Sequence, residues 1–92
     1  MAYGDGTWTL LYHQALDDMT HYLNKKTERV KDLRRYYEKQ GLDSISMDTL
    51  IYQDQEVRGA QLDLDRATAR ASAYGPAAVI DELRSRNAGE PR

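Results

Sequence analysis

The sequence predicts an all-α fold, and three observations predict it. Apolar residues recur at alternating spacings of three and four at Leu16, Met19, Leu23, Val30, Leu33 and Tyr37, with Lys26 as the polar interruption. The same rhythm returns at Leu50, Val57, Ala60, Leu64, Ala67, Ala71 and Tyr74, broken at Gln53. Between the two stretches lies Gln40-Gly41-Leu42-Asp43, a helix stop followed by a helix start. The expected architecture is a long antiparallel helical hairpin, about 8–40 against about 46–74, with a short C-terminal helix at about 76–87. All 92 residues are expected to form one domain, with a lead-in over 1–7 and a polar tail over 88–92.

Asp5, Thr7 and Thr9 are candidate N-caps for the first helix. No Pro or Gly interrupts the chain from there to Gln40. Some 32 helical residues extend about 48 Å, the length of a rod-like element. With Leu16, Leu23, Val30 and Tyr37 as one heptad position, the flanking position holds Trp8, Ala15, Tyr22, Arg29 and Tyr36. That apolar face is wider than a two-stranded seam needs. Gly41 suits the left-handed residue that ends a helix, and Leu42 the apolar contact that accompanies it. Asp43, Ser44 and Ser46 offer caps for the second helix. Gly59 falls inside that helix, where it costs about 1 kcal/mol against Ala and permits close backbone approach. Gly75-Pro76 reads as a break, with Pro76 opening the short third helix on Ala77, Val79, Ile80 and Leu83.

Charge supports the antiparallel arrangement. Residues 22–42 carry seven cations against three carboxylates, and residues 43–65 carry six carboxylates against one cation. Residues 1–21 hold three carboxylates, and 66–74 hold two arginines. Antiparallel arms set opposite signs side by side; parallel arms set like signs together. Each exposed pair contributes only about 0–1 kcal/mol, so the pattern acts against wrong registers more than it stabilises the right one.

Composition excludes several classes. The net charge of −2 exerts no overall pull toward nucleic acid or anionic membrane. Without cysteine there are no disulfides and no thiolate metal sites, which fits the cytoplasm or the interior of a protein assembly. No apolar run approaches the ~20 residues of a membrane span, and the N-terminus lacks the regions of a signal peptide. His13, Asp17 and His21 lie along one helix face, but the outer pair stands about 12 Å apart, too far for one metal ion. No nucleophile, base and orienting group can be assigned together, so no enzyme and no cofactor are expected.

The run Lys25, Lys26, Arg29, Lys31, Arg34 and Arg35 invites nucleic acid. Glu28, Asp32 and Glu38 are interleaved with it, and the acidic second arm neutralises it, which weighs against that reading. The aromatics are more telling. The chain has no Phe but seven Tyr and one Trp. Trp8, Leu11, Tyr12, Tyr22, Tyr36 and Tyr37 are the expected interface residues, because Tyr and Trp pair apolar area with a polar tip. The Trp-any-Gly turn of small helical-hairpin secretion substrates is absent, since the turn here is Gly41-Leu42-Asp43; that family is set aside. The expected function is a non-enzymatic helical assembly subunit that binds itself or a larger protein complex, a virion-type shell being one such setting. The alternative is a small dimeric regulator that binds nucleic acid or sequesters a protein, as antitoxin-like modules do.

Overall fold

A computed structural model describes residues 6–89. Three helices account for them: α1 over Thr7–Lys39, α2 over Ser44–Gln53 and α3 over Gln55–Gly89, with no strand among the described residues. α1 and α3 are long and pack together, in two compact units. The first takes in residues 6–19 and 66–89, and the second Thr20–Asp65. The expected lead-in over 1–5 and tail over 90–92 lie outside the described residues.

The first unit is built on small side chains. Its buried apolar residues are Ala15 of α1 and Ala67, Ala71 and Ala78 of α3, of which Ala67 and Ala71 belong to the predicted three–four rhythm. Alanine contributes little area but lets helices approach closely. A carboxylate completes the packing: Asp81, 2% exposed, accepts a 2.9 Å hydrogen bond from the Trp8 amide. That amide is one of the first-turn donors that α1 cannot satisfy internally. The cap is therefore supplied by α3, 73 positions away, and not by Thr7 or Thr9, which lie inside α1. Asp5 lies outside the described residues. Thr9 Oγ1 donates to the Ala78 carbonyl at 3.4 Å, and Arg70 pairs with Asp18 at 3.2 Å.

The expected break at Gly75-Pro76 is absent. α3 runs straight through Pro76, and the separate helix over 76–87 does not exist as such. Two local features allow this. Gly75 has no Cβ to clash with the proline ring, the usual obstacle to a helical residue before proline. Pro76 is exposed, so the Ser72 carbonyl it leaves without a helical partner faces water. The inner face keeps its rhythm across the site at Ala71, Tyr74, Ala78 and Asp81, and this packing overrides the local preference.

The second unit has a larger-residue core of Leu33, Met47, Ile51 and Val57, with Val30, Tyr37 and Leu42 packed against it. α1 ends as predicted. Gly41 takes φ +80, its amide donates to Glu38 and the Leu42 amide to Tyr37, and Leu42 folds onto Tyr37's cluster. The expected helix over 46–74 differs at two points. It begins at Ser44, and it is cut at Asp54 into α2 and α3. Asp54 has extended backbone, φ −62 and ψ 131, and its Oδ2 accepts the Val57 amide at 3.0 Å, capping α3. The Arg29 guanidinium grips the same carboxylate with two bonds, 3.1 and 3.0 Å long. Val30, Leu33 and Tyr37 keep their expected places in the seam of α1, and Tyr22, Lys26 and Arg29 are half-buried, while Leu23, expected in the seam, is 50% exposed.

Pro76→Ala restores a helical hydrogen bond and a residue of high helix propensity, so it should raise stability by up to ~3 kcal/mol, several degrees in Tm. Were Pro76 the first residue of a new helix, the change would be neutral or harmful. The Asp54 carboxyl is held below its ordinary range, first by the Arg29 side-chain bonds and then by the Val57 amide, with desolvation opposing both. A depressed folded pKa stabilises fully above the unfolded value, 3.8 here, and the contribution is lost as pH falls through the folded value. Urea midpoints between pH 7 and pH 3 should therefore fall more for the wild type than for Asp54→Asn, and Asp54→Ala should cost about 1 kcal/mol or more at neutral pH.

Candidate interaction groove

The cut at Asp54 has a local consequence in the second unit. α2 and the first turns of α3 diverge from a straight path and leave a groove of about 760 Å³. Its apolar floor comes from three elements: Val30 of α1, Ile51 of α2 and Val57 of α3. Tyr52, 79% exposed, and Leu62, 50% exposed, stand at its edges. Gly59 also lines it, and a Cβ built there meets nothing within 4 Å. The close backbone approach that a helical glycine permits is thus not used within the chain. The glycine opens space.

The charges around the groove are largely matched. Arg34 pairs with Asp48 at 3.0 Å. Lys26 Nζ donates to Gln61 Oε1, and Gln61 Nε2 donates to Asp65 Oδ1 at 2.7 Å, so one amide links a cation to an anion. Arg58 also lines the groove and is exposed; among the described residues its guanidinium has no hydrogen bond or ion pair. Arg29 lies outside the groove and is fully engaged: Asp54 and, at 3.4 Å, Glu56 raise its pKa further, chiefly through the Asp54 bonds.

The expected interface residues fall in different places. In the first unit the Trp8 ring lies 5.9 Å from Tyr74, and Tyr12 rests against Gly75, where an added Cβ would sit 3.5 Å from its ring. Leu11 is half-buried beside them in sequence. In the second unit Tyr22 is half-buried with His21 5.1 Å from its ring. Tyr36 is exposed, 5.4 Å from Tyr37, which is half-buried against the core. Of the six candidate nucleic-acid cations, Lys26, Arg29, Lys31 and Arg34 have partners within the unit, Lys31 with Glu28 at 3.8 Å. Lys25 and Arg35 are exposed. Among the described residues no three His, Asp or Glu converge to hold a metal, and no helix is long and apolar enough to cross a membrane.

Sequence reading missed the groove because its edges sit off the predicted seam. Gln53 was the available sign: a polar residue in an apolar stripe, next to an aspartate suited to capping. Gly59→Ala gives a direct check of the open space. With room for the methyl group and helical backbone around it, the substitution should raise stability by about 0.8–1 kcal/mol in thermal or urea unfolding. A loss of stability would mean that the space is filled.

No protein-family model, no curated protein and no solved structure matches this chain, so the functional reading rests on the surface just described.

Proposed function

We propose that the protein is a non-enzymatic helical subunit that assembles with copies of itself or with a larger protein complex, with α1 and α3 antiparallel within each unit. The contacts support that arrangement. In the first unit Trp8, Thr9 and Asp18 meet Asp81, Ala78 and Arg70; in the second Lys26 and Arg29 meet Gln61 and Asp54. Rising positions on one side meet falling positions on the other in both.

One observation carries the assembly reading. A groove with an apolar floor is bordered by large side chains left in water, Tyr52 and Leu62. Ile45, Tyr36, Val79, Ile80 and Leu83 are also exposed. Single exposed apolar residues are ordinary, but an apolar groove bordered by them is a surface into which an amphipathic helix of a partner can lie. Trp8 and Tyr36 are proposed as further contributors, each partly exposed and aromatic.

The regulator alternative draws on the basic run, and the ion pairs of three of its six cations, Arg29, Lys31 and Arg34, within the unit weaken that motive. Salt separates the two readings. Sedimentation or light scattering at rising protein concentration should show an increase in mass that changes little with added salt. Binding of single-stranded or duplex oligonucleotide, where it occurs, should weaken steeply with salt and be lost in Arg34→Glu with Arg35→Glu. A strict monomer at high protein concentration that recovers no partner would contradict the assembly reading.

A further inference from the structure

The groove and the end of α3 carry complementary chemistry. On α3, Val79, Ile80 and Leu83 are each more than half exposed, and their spacing sets them on one side of the helix. Glu82 sits at the edge of that strip; it is exposed, and among the described residues its carboxylate has no ion pair. The segment thus offers three aliphatic side chains and one open carboxylate on a preformed helix. The groove of the second unit offers the converse: an apolar floor, a gap where Gly59 has no side chain, and one open guanidinium at Arg58. Of the other groove charges, Arg34 and Asp48 pair with each other, and Lys26 and Asp65 are both hydrogen-bonded to the Gln61 amide.

We infer that the occupant of this groove is a second copy of the chain, with residues 79–83 of its α3 laid against Val57, Gly59 and Leu62 and its Glu82 paired with Arg58. This rests on the assembly reading and specifies its two surfaces. The contact is between unlike surfaces, so each copy gives one and receives one. Hydrophobic contact supplies affinity, and the charge pair fixes which helix enters and in which direction. Gly59 serves as the entry for an aliphatic side chain, which explains why a helix-weakening residue stands at an exposed position in α3.

Charge exchange tests this on the full chain. Arg58→Glu and Glu82→Arg each change an exposed side chain that has no ion pair among the described residues, so both variants should fold with wild-type circular dichroism. Each alone should self-associate roughly tenfold or more weakly in sedimentation equilibrium. Mixed one to one, they should associate again, because the groove made acidic by Arg58→Glu meets the helix made basic by Glu82→Arg. Gly59→Leu should raise Tm yet abolish association, which separates blocking of the groove from unfolding. Association of both single variants at wild-type strength would overturn the proposed surfaces and leave the assembly reading standing. A wild type that stays monomeric at every concentration would overturn the assembly reading itself and the surfaces with it.

Discussion

The Asp54 carboxylate is the interaction on which the second unit depends. The residue does three things at once. Its backbone leaves the helical region and ends α2. Its Oδ2 closes the first turn of α3 through the Val57 amide, and both oxygens take the fork of Arg29. A single cap is worth about 1 kcal/mol, and an exposed ion pair less. Their joint effect is geometric. The pair ties α1 to the junction of α2 and α3, on a side of α1 where Tyr22, Lys26 and Arg29 are half-buried and Leu23 is exposed. The cut also sets Ile51 and Val57 on the floor of one groove instead of in one continuous stripe.

The first unit uses a different solution. Among its described residues it has no large buried aliphatic side chain; alanines at 15, 67, 71 and 78 bring the backbones close. The buried Asp81 then acts as a tether between α3 and the first turn of α1. A buried carboxylate is tolerated because it meets a backbone donor that would otherwise lack a partner. Placing Asp81 there requires α3 to continue past Pro76, and that is the reason the proline is carried inside a helix. Had the helix stopped at Gly75, Asp81 would have lost its fixed position against Trp8.

Much of this was legible in the sequence, and the failures have physical causes. The all-α class and the stop at Gly41 followed from the three–four rhythm and from the demand for a residue at positive φ. Ala67, Ala71 and Val57 were correctly set in the seam. Pro76 misled because local propensity is a weaker term than the packing on either side of it, and because the preceding glycine removes the usual clash. Leu23 misled because the half-buried positions near it in α1 are filled by Tyr22 and Lys26, which the apolar rhythm alone does not favour. Asp54 was hidden because a capping aspartate in a helical context differs from a solvent-facing one only in what lies near it in space. The aromatics drew attention to Trp8 and Tyr12, which engage Tyr74 and Gly75 of their own unit, whereas Arg58, Gly59 and Leu62 look unremarkable singly and only their spatial grouping in one groove brings them together.

The central claim is that the turn at Asp54 creates a surface that a second copy covers. Methyl-resolved NMR across a dilution series reads this most directly. Methyl signals of Ile51, Val57 and Leu62 should shift with concentration in parallel with those of Val79, Ile80 and Leu83, while buried Ala67 and Ala71 stay fixed. Concentration-independent signals in both sets, or shifts confined to residues around Trp8, would contradict the account.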